Sequence, residues 1–277
     1  MSAVKNSVTE RRIIFLVLFV AVAIPLVFPI GWKTEVSGYT TMAWDLIEST
    51  PENSVVMFSF DYDPSTMTEL QPMAEAMLYH AFSRKQKVIA IALWPQGVQM
   101  ADQAFAFVQK SFPDKKYGFD YVNLGYKVSG IVALQAMGRS MEAVNPFDQA
   151  GTKYSDIPML KSIKTLKDIA YVNSISSGVP GIKEWIMIAR DTYKTPVTGG
   201  TTAVSAPGFF PYINSQKQLT GLLGGLKAAS EYETLIGKIG SATVKMDAQS
   251  VAHVLILIFI AIGNVKAFRA KKGAKHG

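Results

Sequence analysis

Residues 54–93 read SVVMFSFDYDPSTMTELQPMAEAMLYHAFSRKQKVIAIAL, and this stretch decides the fold. Its first seven residues, 54–60, are a short apolar run with β-branched members, as in a strand buried on both faces. From Thr66 to Lys85 the period changes. Leu70, Met73, Ala74, Met77, Leu78 and Ala81 recur at helical spacing, with Pro72 placed near the first turn. Residues 87–93, KVIAIAL, form a second buried strand. Strand, amphipathic helix and strand in this order make a βαβ unit, whose two strands run parallel.

The alternation continues outward. Residues 97–112 predict a helix with Ala101, Ala104, Phe105 and Val108 on one side and Pro113 at its end. DYVNL, 120–124, predicts a strand, and 128–144 a helix that Asn145-Pro146 ends. Residues 145–168 break the rhythm. NPFDQAGTKYSDIPM is polar and turn-rich, and LKSIKTLKD predicts a short basic helix, so this part reads as an insertion on one face. The rhythm then resumes with a strand at 169–175, a helix at 181–193, a strand at 201–205 and a long helix at 216–235. Upstream, Met42, Ala43, Leu46 and Ile47 share a helical face that Pro51 closes. The fold class is α/β: a doubly wound, mostly parallel sheet of four to five strands, with an α+β arrangement as the alternative.

Charge is concentrated at the ends. The chain has 28 Lys and Arg against 21 Asp and Glu, a net charge of +7. Lys5, Arg11, Arg12 and Glu10 give residues 1–12 a charge of +2, and Lys266, Arg269, Lys271, Lys272 and Lys275 give residues 264–277 a charge of +5. The intervening sequence is therefore neutral, with no basic face for nucleic acid. The chain has no Cys and three His. That excludes disulfides, cysteine-ligated zinc or iron–sulfur sites and a cysteine nucleophile.

Two stretches predict membrane helices. Residues 13–30, IIFLVLFVAVAIPLVFPI, carry no charge or amide over 18 residues, which as helix reach about 27 Å. Trp32 and Lys33 follow as interfacial anchors. A cleaved signal peptide has an apolar core of about 7–15 residues. This run is longer and is followed only by Val36-Ser37-Gly38 as a cleavage-like site, so a retained signal-anchor is expected. Residues 251–265, VAHVLILIFIAIGNV, are the second stretch, with bases beyond them that can snorkel to headgroups. His253 reads as interfacial. The expected organisation is a cytoplasmic tail 1–12, a span 13–31, an extracytoplasmic domain 32–250, a span 251–268 and a basic cytoplasmic tail 269–277. The first partner implied is the lipid bilayer.

In an open parallel sheet, ligands sit beyond the carboxyl ends of the strands. The residues expected there as ligand contacts are Asp61, Asp63, Trp94, Gln96 and Tyr126. Lys127, Ser176 and Ser177 stand at neighbouring strand ends and are the candidates for a Ser–Lys hydrolase. Ordinary turn formers and helix caps give the same residue types in the same places. His80, alone of the histidines inside the domain, is expected mid-helix facing solvent.

Asp61-x-Asp63 after a strand resembles the opening motif of haloacid-dehalogenase-type phosphatases, over about five residues. That resemblance implies paired aspartates around magnesium. This chain departs from the pattern at two places: Trp94-Pro95 stands where a Ser or Thr belongs, and Ser205-Ala206-Pro207-Gly208 where a late acidic pair belongs. A capped, metal-free turn is the expectation. Neither a G-x-G-x-x-G nor a G-x-x-x-x-G-K-[ST] fingerprint is present, so no cofactor is expected. There is no G-x-S-x-G elbow.

The helix expected over 216–235 carries Gly221, Gly224, Gly225 and Ala228 as a small-residue stripe, which invites another backbone to approach closely. The approaching backbone is either this domain's own sheet or a second protomer. Its end, Glu231-Tyr232-Glu233, is expected to be exposed. Phe209, Phe210 and Tyr212 in a Gly/Pro-rich loop suit a contact surface. The leading functional expectation is a non-enzymatic, membrane-anchored component that assembles with copies of itself or with other membrane proteins. Small-ligand sensing at the sheet edge and Ser–Lys hydrolysis are the alternatives.

Overall fold

The computed structural model describes residues 2–273, with side chains for 10–269. The last residues of the expected basic tail, 274–277, lie outside the described residues. Six strands form one sheet: β1 (Val55–Asp61), β2 (Lys87–Ala92), β3 (Tyr121–Tyr126), β4 (Val172–Ser176), β5 (Val197–Thr201) and β6 (Leu223–Gly224). Every neighbouring pair is parallel and the order is β3-β2-β1-β4-β5-β6. The chain winds outward from β1 to β3, then returns to the other side of β1 with β4. This is the Rossmann-like doubly wound order, with its switch point between β1 and β4.

The helices are α1 (Ser2–Val27), α2 (Gly38–Ser49), α3 (Met67–Ser83), α4 (Gly97–Gln109), α5 (Ile131–Arg139), α6 (Met141–Val144), α7 (Ile182–Trp185), α8 (Gly225–Leu235) and α9 (Ser241–Gly273). α7 widens into a π-helical stretch over Ile186–Thr192. Strand alternation divides the core in two. Val56, Phe58 and Phe60 pack with residues of α2, α3, α4 and α8. Met57, Ile89 and Ile91 pack with α5, α6, α7 and the turns of the 154–168 insertion. Burial on both faces is why these strands read as continuous apolar runs.

Several expectations need correction. The sheet has six strands, not four to five. β5 lies over Val197–Thr201, ahead of the expected 201–205, because its glycines hide a strand from composition alone. The expected helix 128–144 is broken at Ser140, whose backbone is extended and whose hydroxyl caps α6 by accepting the Ala143 N–H. The basic segment 160–168 forms 3₁₀ turns, the last held by a Thr165/Asp168 capping box.

The long helix expected over 216–235 starts only at Gly225. Gly221 and Gly224 precede it, and Gly224 belongs to β6. Gly221 has φ +78°, and a Cβ there would lie 2.2 Å from the Ala43 amide nitrogen. The glycines therefore serve close approach within the chain, to α2 for Gly221 and to Ala203 for Gly225. Glu231, Tyr232 and Glu233 are buried, not exposed. Glu231 Oε2 accepts the Ser37 N–H and the Thr40 hydroxyl, and Oε1 pairs with Lys227. Glu233 accepts the N–H groups of Gly240 and Ala242. One helix thus holds both the entry and the exit of the sheet-bearing unit.

His80 is also corrected. It is 3% exposed, because α3 is covered by α2 and α8 as well as by the sheet. Nδ1 bonds the Tyr232 hydroxyl and Nε2 the Glu48 carboxylate, both at 2.8 Å.

The chain forms two compact units. One, residues 34–242, holds the sheet. The other comprises residues up to 33 and from 243 onward. In that second unit, Asp247 of α9 accepts three N–H groups, from Ile30, Gly31 and Trp32. Toward the other end of the same helix Lys266 pairs with Glu10 of α1 at 3.3 Å. Among the described residues one helix is long and apolar enough to cross a membrane: Ser241–Arg269, 29 residues with a mean hydropathy of 2.1. Its apolar side chains, including Leu257, Ile260 and Phe268, are exposed. α1 ends at Val27, ahead of Pro29. The uncharged part of that helix, from Ile13, reaches about 22 Å rather than the full hydrocarbon thickness of about 30 Å.

Candidate functional site

The register β1–β4 places Asp61 directly beside Ser176 at the switch point. Two residues singled out from the sequence are thus neighbours, yet neither presents a reactive group. Asp61 is fully buried; its carboxylate accepts the Ser59 hydroxyl at 2.7 Å and the Leu93 N–H at 2.7 Å. Burial pushes its pKa up to about 7 against those hydrogen bonds. Ser176 is buried and its hydroxyl donates to the Gly178 carbonyl. Asp63 accepts both the N–H and the hydroxyl of Ser65, and the Ser65 hydroxyl holds its pKa below the usual value. It shapes the turn into α3. Among the described residues no group of three His, Cys, Asp or Glu is placed to hold a metal.

The remaining candidates are spread along the edge. Trp94 is half-buried and donates Nε1–H to the Pro180 carbonyl at 2.9 Å, bracing the loop after β4. Gln96 is exposed at the start of α4. Tyr126 is exposed at the tip of β3. Lys127 bonds the Leu124 carbonyl, and burial lowers its pKa. The strand order puts three inter-strand steps between the ends of β3 and β4, roughly 14 Å at the usual spacing. A Lys127–Ser176 dyad is therefore not assembled.

A cleft does open at this edge, displaced toward β4 and β5. Its volume is about 270 Å³, and it is lined by Ser177, Gly178, Val179, Lys183, Glu184, Thr201, Ser205, Gly208 and Phe209. Of these, Ser177 was a candidate from the sequence. The 176–181 loop supplies one wall. Gly181 is required there, because a Cβ would lie 1.9 Å from the Ser176 Oγ. Glu184 reaches back to accept the Gly181 N–H at 2.7 Å, closing the start of α7. The loop after β5 supplies the other wall, with Ser205 Oγ bonded to Thr202 Oγ1. At the end of β5, Thr201 is 1% exposed, and its hydroxyl has no hydrogen-bond partner.

Five other buried side-chain atoms among the described residues share this state, Ser174 Oγ on β4 among them, and each such group costs some stability. Sequence reading missed Thr201 because β5 was expected to begin there rather than end there. Phe209 lay in a loop already marked by its Gly/Pro and aromatic content. Lys183 and Glu184 had no local signal beyond the helix start.

No family model matches the chain, and no curated protein or solved structure matches it.

Proposed function

We propose that this chain is a two-pass membrane protein whose α/β unit stands outside the cytoplasm and binds a small ligand, without chemistry of its own. The single observation that carries the binding role is the cleft of about 270 Å³ at the carboxyl edge of β4 and β5. The membrane reading is supported by α9 and by its matched contacts with the segment containing α1. Asp247 satisfies the N–H groups just past α1, and Glu10 meets Lys266 near the opposite ends of the helices. The flanking bases then favour cytoplasmic termini.

Binding is tested by thermal shift. A ligand at 100 times its Kd adds about 2.7 kcal/mol to stability. A fluorescent protein fused after Gly277 is expected to fold and fluoresce, and alkaline phosphatase fused there to stay inactive; the reverse pattern refutes the topology.

Assembly with further copies or with other membrane proteins is the second reading. The glycine stripe no longer argues for it. A groove of about 320 Å³ along α1, lined by Phe15, Leu18, Phe19, Val22, Ala23 and Leu26, does not argue for it either, since lipid tails are as apolar as another helix. Mass photometry in detergent showing monomers alone rejects it.

A further inference from the structure

We infer that the adjoining ends of α1 and α9 form one basic collar that binds anionic phospholipid headgroups in the cytoplasmic leaflet. This rests on the two-pass membrane reading proposed above and names a partner for it.

Charge is the first support. Residues 1–12 and 264–277 hold eight bases against one acid, Glu10. Glu10 meets Lys266 at 3.3 Å, so the two runs, 256 positions apart in sequence at this contact, lie side by side in one compact unit. Glu10 can offset one of the eight charges, and the rest draw counter-charges from outside the chain. The stretches beyond the other ends of the apolar runs, 31–37 and 241–250, hold Lys33 and Lys245 against Glu35 and Asp247 and are neutral. A field that attracts anions therefore stands at one membrane face only.

Position is the second support. The uncharged run of α1 starts at Ile13, so Arg11 and Arg12 stand within about 3 Å of its start along the helix axis. The apolar run of α9 ends at Val265, and the helix continues without a break to Gly273. Arg269 and Lys272 are thus carried about 6 Å and about 10 Å beyond that run. The polar layer on each side of the hydrocarbon core is about 5–8 Å deep. These bases therefore stand in or just outside the layer of lipid phosphates, on helices that continue out of the apolar runs. Arg11, Arg12, Lys266 and Arg269 are all exposed. A guanidinium can donate two parallel hydrogen bonds to one phosphate. A soluble polyanion such as RNA would have to enter the headgroup layer to reach them, whereas lipid phosphates are already there.

The test uses the full-length chain, purified in a neutral detergent and relipidated with equimolar dioleoylphosphatidylcholine (DOPC) and dioleoylphosphatidylglycerol (DOPG). The chain is washed on a column at about 0.1 M NaCl, where charges still act over about 10 Å, and the retained lipids are counted by mass spectrometry. The expected result is a DOPG-to-DOPC ratio of about ten or more, since each base near an anionic surface favours binding about fivefold. Arg11→Gln with Arg12→Gln, and separately Lys271→Gln with Lys272→Gln and Lys275→Gln, are each expected to lower the ratio about fivefold or more. Lys33→Gln, on the other flank, is expected to leave it unchanged. All these positions lie outside the sheet-bearing unit, so the Tm is expected to hold. A ratio near one in the unaltered chain, or a high ratio that both variants keep, overturns the proposal. So does release of DOPG by excess inorganic phosphate or by a short single-stranded RNA, which assigns the bases to a soluble anion. Carbonate extraction of membranes carrying the chain separates the two readings. A chain left in the pellet with a ratio near one keeps the membrane reading and loses the collar, and a chain released by carbonate loses both.

Discussion

At Asp61 a carboxyl group with an ordinary value of 3.8 is raised to about 7 by burial. Between those pH values the folded chain keeps a proton that the unfolded chain has released. The contribution is therefore fully present below pH 4, declines as pH rises and is gone above pH 7. At about 1.4 kcal/mol per pH unit the loss is on the order of 4 kcal/mol. Asp61→Asn keeps an acceptor for the Leu93 N–H and is expected to flatten this slope in thermal unfolding between pH 4 and pH 8. A slope that survives the substitution assigns it to another group. His80 runs the other way. Burial lowers its pKa against the raising effect of Glu48, so its contribution is present above the unfolded value of 6.5 and is lost as pH falls from there through the lowered folded value. His80→Phe leaves the Tyr232 hydroxyl buried without the ring nitrogen it bonds. The expected loss is about 1–3 kcal/mol, read from a denaturant midpoint. The period of 3.6 places His80 at the edge of the apolar stripe, i+3 from Met77 and i+7 from Met73, and the packing of α2 and α8 over that side completes its burial, whereas Asp61 takes its Leu93 partner from a distant segment.

Among the elements, α8 and the turn before it carry the most consequence per residue. Gly221 sits at φ +78° against the α2 backbone. Gly221→Ala adds both backbone strain and a clash, and is expected to destabilise by about 2 kcal/mol or more, seen as a lowered Tm. Glu231→Ala leaves the Ser37 N–H and the Thr40 hydroxyl without their carboxylate, with an expected loss of about 2–3 kcal/mol by the same measurement. The period of 3.6 made α3 and α4 readable, because each packs along one regular face, and continuous apolar runs made β1 and β2 readable, because both of their faces are buried. β6 was unreadable because a two-residue strand has no period; it is defined by pairing with Gly200 and Thr201 of β5.

On the scale of the whole chain, the unit that contains α1 and α9 is pinned by Asp247. Asp247→Ala strips the acceptor from the N–H groups of Ile30, Gly31 and Trp32. Hydrogen exchange at those three amides is expected to accelerate about tenfold or more, with the sheet amides of β1 and β4 unchanged. Equal protection in the variant would show that this carboxylate does not hold the segment. In the sheet-bearing unit, both ends of the chain are fastened to α8, at Ser230–Glu231 for Thr34–Thr40 and at Glu233 for Gly240–Ala242. These long-range bonds link residues some 190 positions apart in the first case, and no local pattern announces them.

From the amino acids alone came the α/β class, the parallel sense of the sheet, the apolar character of both ends and the loops that meet at the carboxyl edge. Those properties follow from periodicity, composition and charge placement, which are local. Tertiary structure decided the sixth strand, the burial of His80 and the α8 glutamates, the separation of Lys127 from Ser176 and the position of the cleft at Thr201. Each depends on which distant backbones come within a few ångströms of one another, and side-chain sequence encodes that only through the assembled packing.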